Sequence, residues 1–154
     1  MAAVLEGLSV LAGSPGKAFA PRTPFRLRAA RTCYDHMAGA LGVWLCDRLV
    51  ALEWLAANPH AADGACELTA RGARAVETLG IDIAALRGLR RRFAFSCLDW
   101  SERRSHLGGA LGAALLAHAL KKRWVTQELE SRELCVTSLG RRELRARFGP
   151  ELPL

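Results

Sequence analysis

The sequence lacks several patterns that identify common protein classes. None of its five cysteines belongs to a Cys-x-x-Cys pair, which argues against a zinc ribbon, and their odd number argues against a disulfide framework. Aromatic residues make up 6% of the chain, too few to stack along single-stranded nucleic acid. Cys33 could act as a nucleophile with His36 or His106 as its base, but no motif supplies an oxyanion hole, so we do not expect an enzyme.

We expect neither a leader nor a membrane-spanning segment. The longest uncharged stretch runs from Leu107 to Leu120 and is too short to cross a bilayer. The first residues form no positively charged leader, and Glu6 interrupts their apolar run, so we expect no signal peptide. These features predict a cytoplasmic protein with reduced thiols and no membrane partner.

The sequence contains enough hydrophobic residues to form a packed core. Hydrophobic residues make up 51% of the 154 positions, which suits one compact domain or two very small ones. The net charge is +7, and arginine carries most of the positive charge. Such a charge favours nucleic acid first and an anionic membrane surface second, although a solvated basic surface has the same composition.

Two segments far apart in the chain contain the same landmarks in the same order. The coincident residues are His36 and His106, the string GALG at 39–42 and 109–112, Leu45 and Leu115, Trp54 and Trp124, and, after a small change of offset, Thr69 and Thr137 and Gly72 and Gly140. Upstream, CYD at 33–35 matches CLD at 97–99, with a longer stretch before the second histidine. This order of landmarks predicts an internal duplication.

Each copy predicts a helix with one buried face. Apolar residues recur at the spacing of one helical turn, at Met37, Leu41, Leu45 and Leu49 in the first copy and at Leu107, Leu111 and Leu115 in the second. The glycines at 39, 42, 109 and 112 are unfavourable inside a helix. We therefore expect another backbone to pass close to them where the two copies cross, or, for Gly108 and Gly109, a loop before the helix.

A β hairpin and a final helix complete each copy. Turn-forming residues follow each tryptophan, and short strands return as ACELT and ELCVT. Thr69 and Thr137 then predict helix starts, and Gly80 and Gly149 predict helix ends. The predicted fold is mainly α with short β-hairpins (α+β), arranged as two tandem winged-helix-like repeats packed together.

The predicted organisation has four segments. They are residues 1–24 (residual helix and Gly/Pro linker), 25–82 (first winged-helix-like repeat), 83–96 (basic connector) and 97–149 (second winged-helix-like repeat). A helix is expected to begin near Phe25 and to carry Arg26, Arg28 and Arg31.

The strings RAARTCYDHMAGALGVWLCDRLV and CLDWSERRSHLGGALGAALLAHAL resemble the C-terminal half of a subgroup of ArsR-type winged helix-turn-helix transcriptional regulators. The resemblance covers residues 26–148. It implies a bacterial transcriptional regulator, acting as a homodimer, whose part here senses an effector or joins subunits. We find no helix-turn-helix recognition segment, and residues 2–12 resemble the helix that would close the missing N-terminal DNA-binding domain. DNA is therefore expected to be bound through a missing or partner domain.

Six residues of the matching strings are the candidate effector or metal site: Cys33, Asp35, His36, Cys97, Asp99 and His106. Thiolate, carboxylate and imidazole together suit zinc or a similar divalent metal, and the resemblance favours this because ArsR-type proteins often sense metals. A small organic or thiol-reactive effector is equally compatible. The structural alternative is that the cysteines pack as small hydrophobes and that Asp35 and Asp99 cap helices.

Two clusters of basic residues offer a second function, direct binding of DNA. The candidate phosphate contacts are Lys121, Lys122, Arg123, Arg141, Arg142 and Arg145. Residues 121–123 could equally complement the partial negative charge of a helix C-terminus. His60 and His118 are expected to be structural or exposed rather than ligands. The leading prediction is effector sensing, in which a ligand held better by one packing of the repeats favours that packing.

Overall fold

The computed structural model describes residues 24–57 and 64–153. Its helices and strands, in chain order, are α1 (Phe25–Ala29), β1 (Arg31–Cys33), β2 (His36–Ala38), α2 (Gly39–Ala51), β3 (Leu55–Ala57), β4 (Cys66–Leu68), α3 (Ala70–Thr78), α4 (Ile83–Arg87), β5 (Phe95–Leu98), β6 (Ser105–Gly108), α5 (Gly109–Lys121), β7 (Val125–Gln127), β8 (Leu134–Val136) and α6 (Ser138–Phe148). The expectations for residues 1–23 and for His60 lie outside the described residues. Across the described ranges, every helix is too short or too polar to cross a membrane.

The same order of elements occurs twice. We call residues 31–78 the first unit and residues 95–148 the second unit, and each runs hairpin, long helix, hairpin, helix. The four sheets of the described residues are two-stranded and antiparallel. The prediction of an α+β fold with short hairpins is therefore confirmed. The division into four segments stays a prediction, and β5 begins at Phe95, inside the segment predicted to be a connector.

The two units exchange backbone hydrogen bonds at equivalent positions. The first strand of each unit lies beside the second hairpin of the other unit. The bonds run from Thr32 N to Arg132 O (2.8 Å), from Leu134 N to Ala30 O (3.0 Å), from Ser96 N to Gly64 O (2.8 Å) and from Cys66 N to Ala94 O (3.1 Å). Each unit therefore supplies hydrogen-bond partners to strand edges of the other, which ties the two units together.

The apolar core covers more than one face of each long helix. The leucines at the predicted spacing of one helical turn are buried, namely Leu41, Leu45 and Leu49 on α2 and Leu111 and Leu115 on α5. Burial extends beyond the single predicted face, because Val43, Trp44 and Cys46 on α2 and Leu116 and Ala119 on α5 are buried as well. Met37 and Leu107 are buried too, but they lie in β2 and β6 rather than on the helices. The apolar spacing continues across the boundary between strand and helix, so it could not reveal where each helix begins.

The prediction that the two long helices cross at Gly42 and Gly112 is wrong. A Cβ atom at Gly42 would lie 2.4 Å from Met37 O, and one at Gly112 would lie 2.3 Å from Leu107 O. The backbone that passes close is thus the strand before each helix, not the helix of the other unit. The other unit instead supplies the Cβ atom of its hairpin histidine, at 3.5 Å and 3.2 Å respectively.

The predicted ends of the last helix in each unit are confirmed. Thr69 and Thr137 each accept a 2.9 Å hydrogen bond from the backbone N–H three residues later, which caps α3 and α6. Gly80 and Gly149 follow these helices with φ angles of +80° and +124°. Such angles favour glycine, because a side chain would be strained there.

Arg31 does not belong to the first helix. α1 ends at Ala29, and Ala30 has an extended backbone with φ of −155°. Arg31 opens β1 and has 2% of its surface exposed. The expectation that the helix carries Arg31 is therefore wrong, whereas Arg26 and Arg28 do lie on α1.

Candidate metal centre between the two units

The first hairpins of the two units bring two cysteines and two histidines together. Cys33 lies opposite His36 in the first unit, and Cys97 lies opposite His106 in the second unit. Residues opposite each other in an antiparallel pair point to the same face, so each hairpin presents one thiol and one imidazole side by side. One ligand atom from each of the four residues, here called the Cys–His cluster, lies within 4.8 Å of the others.

The spacing within the Cys–His cluster suits a small cation. His36 Nε2 and His106 Nε2 are 3.2 Å apart. A tetrahedral zinc ion with Zn–N bonds of about 2.0–2.1 Å would separate two imidazole nitrogens by about 3.3 Å. Both histidines are buried, and Cys33 and Cys97 are half-buried. The four side chains are therefore compatible with a metal ion held largely away from bulk water.

Burial favours the neutral form of both imidazoles of the cluster. Burial, together with the neighbouring His36, lowers the pKa of His106 to about 4. Burial also lowers the pKa of His36, against the attraction of Asp35. Neutral imidazole keeps a lone pair available for a metal. Burial and the nearby Cys33 raise the pKa of the Cys97 thiol to about 11, so a thiolate at this position needs a cation beside it.

The two predicted aspartates stand behind the histidines rather than among the clustered donor atoms. Asp35 Oδ1 is 3.4 Å from His36 Nδ1, and Asp99 Oδ2 is 3.6 Å from His106 Nδ1. A carboxylate near the far nitrogen of a metal-binding histidine orients the ring and raises its basicity. The structure thus brings four of the six predicted residues into one cluster and places the other two next to it.

The two aspartates are equivalent in sequence but differ in their surroundings. Asp35 is half-exposed and pairs with Arg91, whose hydrogen bond lowers the pKa of the carboxyl group. Asp99 is fully buried and accepts hydrogen bonds from Arg31 Nη2 at 2.8 Å and from Gly39 N at 2.7 Å. Burial would raise the pKa of Asp99, but these two hydrogen bonds, with others from its own turn, outweigh burial and lower it. Asp99 is therefore an ionised carboxylate in the protein interior.

Asp99 does cap a helix, but the helix belongs to the other unit. Gly39 is the first residue of α2, so its bond to Asp99 satisfies a donor at a helix N-terminus. The negative charge also complements the helix dipole there. Asp99 in this way ties the turn before β6 to the long helix of the first unit.

Arg31 is a residue of this region that the sequence analysis missed. Its Nη1 donates to Leu27 O and to Ser101 Oγ, both at 3.0 Å, and its guanidinium lies 4.4 Å from the centre of the Trp100 ring. Arg31 thereby joins α1 to the turn that carries Asp99. A single arginine in an arginine-rich segment forms no pattern by which it could have been singled out.

The predicted phosphate contacts all lie on the second unit. Lys121 is the last residue of α5, Lys122 and Arg123 follow it, and Arg141, Arg142 and Arg145 lie along α6. All are exposed except the half-buried Arg141. His118 is half-buried and packs edge-on against Trp124, with ring centres 5.0 Å apart. Contact of these six residues with DNA stays a prediction.

Comparison with known proteins identifies one similar regulator. The chain is 42% identical over 115 residues to an uncharacterized HTH-type transcriptional regulator, YdfF, of Bacillus subtilis (strain 168). The matched region covers 75% of this chain and 49% of YdfF, so the chain spans about half the length of that relative. No family model and no solved structure matches the chain.

Proposed function

We propose that this chain is the effector-sensing or subunit-joining portion of a bacterial, ArsR-like transcriptional regulator, and that it controls DNA binding. The protein is not an enzyme, acts in the cytoplasm as a homodimer, and consists of two repeats that arose by duplication. The similarity to an HTH-type regulator supports the general role. The observation that carries the specific role is the Cys–His cluster, because each unit contributes one cysteine and one histidine to it.

A ligand held by donors from both units favours the packing that brings those donors together. Such a ligand shifts the population between packings by its difference in affinity for them. The shift reaches α1 through Arg31, which contacts both Leu27 of that helix and the Asp99 turn. The effector class suited to the cluster is a divalent metal such as zinc, with a thiol-reactive small molecule as the alternative.

The test of the regulatory role is to locate the protein on the chromosome. A tagged copy is expressed from its own gene, and the DNA crosslinked to it is isolated and sequenced. We expect enrichment at a small number of promoters, and changed transcription of the adjacent genes when the gene is deleted. Uniform recovery of DNA, with no transcript altered by the deletion, would contradict a role in transcription.

Direct DNA binding by the second unit is the competing function, since residues 121–123 are exposed and basic. The substitutions Lys121→Ala, Lys122→Ala and Arg123→Ala are combined in one variant, and binding to an enriched promoter is measured at several salt concentrations. We expect unchanged binding if DNA is contacted elsewhere. If these residues contact phosphates, the slope of log affinity against log salt falls by about 3. A variant with Arg71→Ala, Arg74→Ala and Arg90→Ala controls for loss of net charge.

A further inference from the structure

We propose that the Cys–His cluster binds one Zn²⁺ ion through Cys33 Sγ, His36 Nε2, Cys97 Sγ and His106 Nε2, and that this ion crosslinks the two units. The proposal rests on the proposed function, because it names the ligand of the same sensing site. Four protein donors complete a tetrahedral shell and leave no position for water, as in zinc sites that stabilise structure.

The pairing of the strands positions the ligands before any metal arrives. The register places Cys33 opposite His36 and Cys97 opposite His106, so two short hairpins each hold a ligand pair. The two pairs come from segments far apart in the chain, and Arg31 of the first hairpin and Gly39 just after it both donate hydrogen bonds to Asp99 of the second, which holds the two hairpins together. Zinc would therefore bind to donors whose ordering is already stabilised by the fold.

The hydrogen bonding of the histidines favours a cation between them. Both Nε2 atoms point at each other across 3.2 Å, while His106 Nδ1 is buried without a hydrogen-bond partner and faces Asp99. With zinc on both Nε2 atoms, each ring carries its proton on Nδ1. His36 then donates towards Asp35, and His106 donates towards Asp99. A carboxylate is a common hydrogen-bond acceptor for the ring nitrogen of a zinc-bound histidine that does not contact the metal.

Charge balance also favours zinc at this buried position. When Zn²⁺ binds, each thiol releases one proton to the solvent, and the sulfur atoms bind as thiolates. Two thiolates and two neutral imidazoles then give a centre with no net charge. A neutral centre avoids the large desolvation penalty of an unpaired charge in the protein interior. The soft sulfur donors disfavour magnesium and calcium, which prefer oxygen.

The first test measures metal content and coordination in the whole chain. The protein is purified without chelators, its zinc is quantified, and the zinc is then replaced by Co²⁺ as a spectroscopic probe. We expect one zinc per chain and the visible absorption of tetrahedral cobalt with thiolate-to-cobalt charge transfer. No stoichiometric zinc after equilibration with excess Zn²⁺, or a cobalt spectrum without thiolate bands, would overturn the proposal.

Substitutions assign the ligands. Loss of a residue that only hydrogen-bonds to a metal ligand typically weakens metal binding by about 10–100-fold. Loss of a ligand itself should weaken it more, so we expect Cys33→Ser, Cys97→Ser and His106→Ala each to lower the affinity for zinc by more than about 100-fold. Cys66→Ser and Cys135→Ser serve as matched controls, because these cysteines lie outside the cluster, and we expect unchanged affinity. Zinc binding that survives Cys33→Ser but fails in Cys135→Ser would place the metal elsewhere.

A second measurement needs no variant and therefore does not depend on how a variant folds. The unaltered chain is treated with iodoacetamide in the presence of Zn²⁺ or of a chelator, and alkylation of each cysteine is followed by mass spectrometry. We expect zinc to protect Cys33 and Cys97 and to leave the exposed Cys135 unprotected. A disulfide between Cys33 and Cys97 in both samples, or equal labelling in both, would contradict the proposal. None of these readouts involves DNA, so they can fail while the regulatory role holds.

Discussion

Replacement of Asp99 by asparagine is expected to lower the free energy of unfolding by about 3–5 kcal/mol, the loss typical of breaking a buried ion pair. Asp99 and Arg31 have 0% and 2% of their side-chain surface exposed, and their atoms are 2.8 Å apart. Asparagine removes the charge that compensates the guanidinium, which cannot lose its proton. Its amide group also replaces an acceptor with a donor where Gly39 N–H and Arg31 both need acceptors.

The equivalent aspartate of the first unit provides a matched control. Asp35 and Arg91 form an ion pair whose side chains are 46% and 42% exposed. Water screens such a pair, so Asp35→Asn is expected to change the free energy of unfolding by about 0–1 kcal/mol. Urea denaturation of both variants, followed by circular dichroism, measures the difference. Equal losses in the two variants would show that the burial of Asp99 does not decide its contribution.

The second large effect is expected for Gly112→Ala, which should lower the free energy of unfolding by about 1–3 kcal/mol through overpacking. The new Cβ atom would lie 2.3 Å from Leu107 O and 3.2 Å from His36 Cβ, so α5 must move away from β6. Because β6 carries His106, we also expect weaker binding of Co²⁺ to the Cys–His cluster. Urea denaturation and cobalt titration measure the two effects.

Gly88→Ala is the control for this substitution. A Cβ atom there has its nearest neighbour at 3.4 Å, an ordinary contact, and the backbone has φ of −73°. We expect the free energy of unfolding to change by less than about 1 kcal/mol and cobalt binding to stay the same. A loss at Gly88 as large as that at Gly112 would mean that close backbone approach is not the cause.

The helix boundaries show where local sequence information is sufficient. Thr69 and Thr137 cap the helices that their sequence context predicts, because the hydrogen bond that a threonine hydroxyl accepts from the backbone N–H three residues later is a short-range interaction. The residues at which α2 and α5 begin could not be located from the sequence alone. Met37 and Leu107 continue the apolar spacing of the helices but pair in strands, and strand pairing depends on residues outside the helical window.

The candidate site also has features that the sequence predicts and features that only the structure shows. Repetition of the Cys-x-Asp strings and of the histidines was enough to name six candidates, Cys33, Asp35, His36, Cys97, Asp99 and His106, but the structure was needed to separate the four clustered donors from the two aspartates. Nothing in that repetition distinguished Asp99, buried against Arg31, from Asp35, which reaches the surface. Equivalent positions in two copies have the same local sequence pattern but different neighbours in space.

The residue order was thus sufficient for the α+β character and the helix caps, which depend on residue type and on neighbours close in the chain, and for a group of six candidate site residues, which follows from the repeated strings. The tertiary structure decided which carboxylate is buried, that Arg31 lies in β1 beside it rather than on α1, and that Gly42 and Gly112 pack against the strand before their helix rather than against the helix of the other unit. These outcomes depend on contacts between segments distant in the chain, where desolvation and close packing decide which groups come together.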